Sequence, residues 1–279
     1  MLVAEWGQRN RVRRGSSENA RAAIVDNTVM QSSPSSAITP SMRRLPVRSD
    51  PMHILWHYAN GRMPDFVNKQ DGPVGWVRWS HRGIQPLDDI QFPDSQKRYI
   101  FSKKFELRFN TAFEEVIRSC ADVSRFGKTW ITPELVEGLI KLNTMGFAHS
   151  FEAWTVGEKP ELAGGVWGVQ IGSFISASSM FHRVPNATKA AYGRTLLHLK
   201  ERGFTLVDTG MVPEHMVNYG SRYVPSWEFE GRLRELIAQP RTIVDGMTVP
   251  MLPGRLGWKM PLARVGRGLT QRVKRLMGR

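Results

Sequence analysis

Cysteine is almost missing: Cys120 is the only one in 279 residues, so no intramolecular disulfide can form and a cysteine-based zinc site is excluded. A lone thiol of this kind is expected to be buried and inert. No apolar run approaches the roughly 18 residues of a membrane-crossing helix, and no membrane span is expected. The start, MLVAEWGQRNRVRRG, reaches its charges after too short an apolar stretch for a secretory signal. The Arg- and Ser-rich, acid-poor opening also has the composition of an organellar transit peptide, and the expected compartment is the cytoplasm. Acids are scarce at both ends. Residues 1–50 hold eight Arg against four acids, and residues 240–279 hold nine Lys and Arg against Asp245 alone. The formal charge of +14 thus divides into +4, +8 and only +2 for the middle. Such ends favour an anionic partner, nucleic acid or a membrane surface, while the central body carries the mixed surface of an ordinary enzyme or binding domain.

A 41% apolar fraction is enough for a sizeable core. Residues 1–50 read as a disordered basic extension and 51–104 as a small N-terminal region. In that region MHILWHYANGRMPDF forms a short helix closed by Asn60 and Gly61, and residues 72–94 form a loop-rich β-region. FELRFNTAF suggests a strand, and Phe113, Val116 and Ile117 then recur at helical spacing. Thr132, Pro133 and Glu134 supply an N-cap, a proline at the first helical position and a first-turn acid, predicting a helix that stops at Gly146. AHSFEAWTV, ELAGGVWGVQIG and SFISASSMF read as strands, AAYGRTLLHLKERG as a helix and FTLVDTG as a strand. Three antiparallel strands, a helix and a further strand make an α+β layer. That order over residues 105–239 is typical of an N-acetyltransferase-like (GNAT-like) core, by analogy of pattern. Residues 240–279 remain as a basic tail, whose last part, GLTQRVKRLMGR, is either a solvated helix or a surface for RNA or lipid.

Five segments, TWIT (129–132), GFAHSFEAW (146–154), LAGGVWGV (162–169), SSMFHRVPNATKAA (178–191) and FTLVDTG (204–210), stand in an order and spacing that resembles the leucyl/phenylalanyl-tRNA–protein transferase family. YANGRMPDF upstream is similar to the family's approach to its small N-terminal domain, and VGWVRWSHRG matches loosely. The resemblance implies an aminoacyltransferase that moves leucine or phenylalanine from charged tRNA onto the α-amine of proteins beginning with a basic residue, marking them for degradation. It implies aminoacyl-tRNA and such acceptor proteins as partners and no cofactor. A monomer is expected.

The resemblance also assigns positions. Asp208, ending the apolar strand FTLV, matches the acid that orients and deprotonates the incoming amine. Read from the residues alone, it caps the next turn. Trp130, Val166, Met180 and Phe181 match the lining of the apolar aminoacyl pocket, and as residue types they serve a core equally well. Three positions depart from the family. Gly210 replaces a glutamine and offers no side-chain amide, Ser178 replaces an acid at the substrate-binding edge, and Asp65 replaces an aromatic. A glutamine at 210 should restore the amide, provided the position does not need a positive φ. His149 and Glu152 lie three apart on a strand, on opposite faces, so no metal site is expected. Gly164 and Gly165 mark a bulge or a close backbone approach. HRVPNATK lacks the glycines that a coenzyme-A pyrophosphate loop needs. The rival reading from another class is a non-catalytic or specificity-shifted aminoacyl-tRNA binding protein on the same fold.

Overall fold

The computed structural model describes residues 46–67, 72–124 and 127–245. The expected extension up to residue 45 and the end of the tail from residue 246 lie outside the described residues. Helix α1, Pro51–Ala59, starts where the Asp50 carboxylate accepts the Met52 N–H at 3.0 Å, with Pro51 in the first turn, a cap worth about 1 kcal/mol. It ends as expected at Asn60 and Gly61, and Gly61 has φ +69°, a conformation open to glycine at no steric cost. Strands β1 (Met63–Phe66) and β2 (Val74–Val77) pair antiparallel.

The expected loop-rich stretch contains a strand that leaves this hairpin. β3, His81–Pro86, is the middle of a three-stranded antiparallel sheet between β9 (Leu206–Gly210) and β10 (Arg222–Pro225). A short helix α2, Asp94–Ile100, follows β3 in the chain. The larger sheet runs β4 (Phe105–Phe109), β5 (Ala148–Thr155), β6 (Leu162–Ile171), β7 (Phe174–Ile175), all antiparallel, with β8 (Ser179–His182) also paired to β6. SFISASSMF is therefore two strand pieces rather than one. The intervening Ser176 makes a parallel bridge to Asp208 of β9, and the Ala177 N–H donates to the Asp208 carbonyl at 2.8 Å. That bridge is where the two sheets meet.

Helices α3 (Phe113–Ala121) and α4 (Pro133–Thr144) pack on one face of the larger sheet, and α5 (Ala187–Glu201) on the other. The expected cap of α4 is present, Thr132 Oγ accepting the Leu135 N–H at 3.3 Å. Alternation along β6 sends Trp167, Val169 and Ile171 to the α3/α4 face and Val166 to the α5 face. Each such fully buried side chain contributes about 1.5–3 kcal/mol. A β-carbon on Gly164 would lie 2.9 Å from the Phe181 carbonyl and 3.0 Å from Ala187 Cβ, so the close approach expected there exists. A four-residue helix α6 (Glu214–Val217) and a long helix α7 (Ser226–Ala238) complete the fold. Beyond α7 the chain stays attached. Ile243 is fully buried, and Gln170 Nε2 donates to the Arg241 carbonyl at 2.9 Å. The described elements thus make a mixed α+β fold with antiparallel sheets, and no described helix is long and apolar enough to cross a membrane.

Candidate functional site

Asp208 is fully buried at the sheet junction, and its partner is a residue that the sequence reading did not single out. Arg82 of β3 donates Nε to Oδ1 at 2.7 Å and Nη2 to Oδ2 at 2.6 Å, the two-pronged geometry that a guanidinium makes with a carboxylate. The Gly210 N–H donates to Oδ1 at 3.0 Å, and Arg82 Nη1 reaches the Gly61 carbonyl at 3.4 Å. The guanidinium carbon lies 5.2 Å from the Trp79 ring centre and 5.0 Å from that of Phe229 on α7, a further attraction in a desolvated setting. A buried pair of this kind contributes little net stability, but removing one partner strands the other charge at a cost of about 3–5 kcal/mol.

On the opposite side of Asp208 stands a chain of hydroxyls. The Val169 N–H donates to Ser176 Oγ at 2.8 Å, Ser176 Oγ lies 3.0 Å from Ser178 Oγ, and Ser178 Oγ lies 3.3 Å from the Tyr58 hydroxyl. Burial, with the Asp208 charge adding to it, raises the Tyr58 phenol above its ordinary range, while Ser178 and Arg82 oppose. Tyr58 is therefore a neutral donor and acceptor at physiological pH. Ser178, where the family resemblance leads one to expect an acid, is one link in this uncharged relay.

Gly210 has φ +69°, and a β-carbon there would sit 3.0 Å from Met63 Sδ and 3.4 Å from the Trp79 ring. The proviso attached to restoring a glutamine is thus not met: the backbone is left-handed and the space is taken. Asp65, in β1 opposite Gly75, accepts its neighbour's Phe66 N–H at 2.7 Å, and burial raises its carboxyl against that bond.

The four apolar positions do not share one wall. Val166 and Met180 are register partners across β6 and β8 and pack on the α5 side. Phe181 and Trp130 belong to the α3/α4 side, where Trp130 lies 6.1 Å from Trp167, ring centre to ring centre. Phe181 is almost fully buried, while Trp130 and Met180 are half-buried. His149 and Glu152 are both buried and bind separate partners. His149 Nδ1 lies 3.0 Å from Asn110 Nδ2, and the Glu152 carboxylate accepts from Thr111 Oγ, the Ala112 N–H, Ser150 Oγ and Trp154 Nε1. Among the described residues no group of three or more His, Cys, Asp and Glu side chains could hold a metal.

Arg82, Tyr58 and Ser176 were missed for a physical reason. Arg82 and Asp208 stand 126 positions apart, and nothing local marks the pairing. The available signal was an arginine in a segment rich in Trp, Gly and Pro that also holds Arg78, and only a search for the counter-ion of Asp208 would have singled it out.

A family model described as leucyl/phenylalanyl-tRNA protein transferase matches residues 84–234. Relatives named leucyl/phenylalanyl-tRNA–protein transferase include one from Anaeromyxobacter dehalogenans, 38% identical over 195 residues, covering 68% of this chain and 81% of the relative. One from Magnetococcus marinus is 35% identical over 192 residues with the same coverage. One from Gloeobacter violaceus is 36% identical over 190 residues, covering 68% of this chain and 95% of the relative. The class to which the family model and the relatives point is a transferase. The chain belongs to the leucyl/phenylalanyl-tRNA–protein transferase family.

Proposed function

We propose that this chain transfers an apolar amino acid, leucine- or phenylalanine-like, from aminoacyl-tRNA to the N-terminal α-amine of acceptor proteins that begin with a basic residue, marking them for degradation. The observation that carries this reading is Asp208, held rigidly at the junction of two sheets beside a neutral hydroxyl chain. The reaction is attack of an amine on an ester that is already activated, so positioning outweighs base strength. Near pH 7 roughly a tenth of an α-amine is neutral, and deprotonation costs about 1–1.5 kcal/mol. Orientation of the reactants contributes about 7–11 kcal/mol.

Asp208 is the acid–base group in this proposal. Three N–H groups occupy its oxygens out of about four lone-pair sites, which leaves one lone pair on Oδ2 for the proton of the amine. The Arg82 charge fixes the carboxylate and balances it, so the pair orients an amine rather than concentrating ammonium by net attraction. Tyr58 and Ser178 donate or accept hydrogen bonds at the same edge. Val166 and Met180 offer apolar surface on one side of the sheet and Trp130 and Phe181 on the other, so one aminoacyl side chain meets only one of these pairs, and it is assigned to the half-buried Met180 with Val166. A GNAT-like core over residues 105–239, a small N-terminal region at 51–104, a monomeric state and a cytoplasmic location belong to the same proposal.

One observation favours a second reading, an aminoacyl-tRNA binding protein without turnover or with shifted specificity. Asp208 is saturated on Oδ1 and charge-balanced, and Gly210 contributes no side chain. Purified protein incubated with labelled Leu-, Phe- and other aminoacyl-tRNAs and an Arg-starting peptide separates the two. Transfer of Leu or Phe label to the peptide is expected. Tight binding of the charged tRNA with no transfer from any donor would favour the second reading.

A further inference from the structure

On the α1 side of the site, cations and unpaired donors gather without matching acceptors. Arg62 follows Gly61, whose carbonyl accepts from Arg82, and precedes Met63, which abuts Gly210. Its guanidinium lies 5.2 Å from the centre of the Trp56 ring. Arg62 Nη1 and Trp56 Nε1 are both shielded from solvent, and neither has a hydrogen-bond partner among the described residues. Arg78 approaches the same place and pairs through Nε with Glu230 of α7, the residue whose side chain a β-carbon on Gly61 would touch. Glu230 is thus bonded to Arg78 and acts on Arg62 through its charge alone. Burial and then the Arg78 charge lower the Arg62 pKa, with only Glu230 opposing. Leaving a shielded charged donor unpaired is costly, and an anion with several acceptor oxygens would satisfy Arg62 and the free prong of Arg78 together.

We propose that Arg62 and Arg78, backed by Trp56, form a phosphodiester subsite that grips the RNA backbone close to the 3′ end carrying the amino acid. The inference rests on the reading above that the donor is an aminoacyl-tRNA. It adds where the strand enters: beside Gly61, on the α1–β2 side, next to the Arg82–Asp208 pair. The chemistry recognised is a backbone phosphate, so the subsite strengthens binding without choosing the amino acid.

The test measures tRNA affinity against salt for the wild type, Arg62→Gln, Arg78→Gln and the double variant. Each uses intact tRNA and tRNA shortened by its single-stranded 3′ nucleotides, with thermal midpoints as folding controls. Loss of one phosphate contact should flatten the slope of log K against log salt by about 0.7 and weaken binding roughly threefold to tenfold per arginine. On the shortened tRNA the wild type should already show the lower slope, and the substitutions should add little. Arg78 is the more exposed of the two and its substitution is the safer one to fold, so it decides the matter if Arg62→Gln unfolds. Wild-type slopes in folded Arg78→Gln and in the double variant would overturn the subsite while leaving the function standing. A loss equally large on the shortened tRNA would overturn its placement at the 3′ end. A wild-type protein that does not bind tRNA would overturn the functional reading and the subsite with it.

Discussion

At the scale of single residues, Asp208 and Arg82 behave as one unit, and substitutions at either must be read that way. Asp208→Asn leaves a buried guanidinium without its counter-charge, and a loss of about 3–5 kcal/mol in unfolding free energy is expected. Chemical denaturation should show most of that loss recovered when Arg82→Gln is added, because the stranded charge is gone. Gly210→Gln is expected to lose stability rather than gain activity. A left-handed backbone costs a residue with a side chain about 1–2 kcal/mol, and Met63 must also move from its place beside Gly210. A shift of the denaturation midpoint of the Gly210→Gln protein in the stabilising direction would contradict the strain. Met180→Asp should sharply reduce use of Leu- or Phe-charged tRNA, since a carboxylate beside an apolar ligand is poorly solvated. Unchanged donor use in that variant would remove Met180 from the pocket.

At the scale of elements, α1 carries a proton sensitivity. His57 is fully buried, its ring stacked on Trp76 with centres 4.2 Å apart, and its Nε2 lies 3.3 Å from that of His53. Burial first, then the nearby His53 and Arg62 charges, drive its pKa down to about 2. On β5, burial brings His149 down to about 4, against the Gly146 backbone carbonyl, which favours the protonated ring. Both histidines are thus neutral when folded, whereas an unfolded histidine takes a proton near pH 6.5. The unfolded chain binds more protons below that pH, so stability is full above it and falls as pH drops from about 6.5 towards 4 and below. Thermal midpoints measured from pH 7.5 to 5 should decline, and less steeply in His57→Phe, which keeps the stacked ring. A flat profile in the wild type would contradict the assignment.

Elements with local signals were legible from sequence. The Thr132–Pro133 start of α4 and the Asn60–Gly61 end of α1 are written in neighbouring residues, and β5 and β6 in two extended segments joined by a Gly/Lys/Pro turn. β3 was not legible, because HRGIQP is a strand only by virtue of β9 and β10, more than a hundred positions later. α7 went unread although its signal was local: Phe229, Leu233, Leu236 and Ile237 recur at helical spacing and pack into the core against distant partners. Asp208 and the four apolar positions were candidates only through the motif match. Arg82 was not, because its pairing with Asp208 forms only between distant strands, whereas the opposite faces of Met180 and Phe181 follow from their adjacency on one strand.

At the scale of the whole molecule, most of the positive charge belongs to the two ends of the sequence. Residues 246–279 hold eight Lys and Arg and no acid, and removing them should weaken tRNA binding and flatten its salt dependence. The cut belongs after Asp245 rather than after Gln239. Ile243 is buried in the core, and its carbonyl lies 2.7 Å from His198 Nε2, so a shorter chain would lose packing as well as charge. Equal affinity and slope with and without residues 246–279 would show that the rest of the chain binds tRNA by itself.

The central claim is that Asp208, fixed by Arg82 where the two sheets join, handles the amine proton in aminoacyl transfer. The most direct measurement is the single-turnover rate of label transfer from saturating Leu-tRNA or Phe-tRNA to an Arg-starting peptide, in the wild type and in the Arg82→Gln/Asp208→Asn protein. In the double variant the stability cost of a stranded charge is largely removed, so the rate reports chemistry. The account predicts transfer by the wild type and a rate about a hundredfold or more lower in the double variant, with tRNA affinity little changed. A double variant that folds, binds charged tRNA and transfers at the wild-type rate would contradict it.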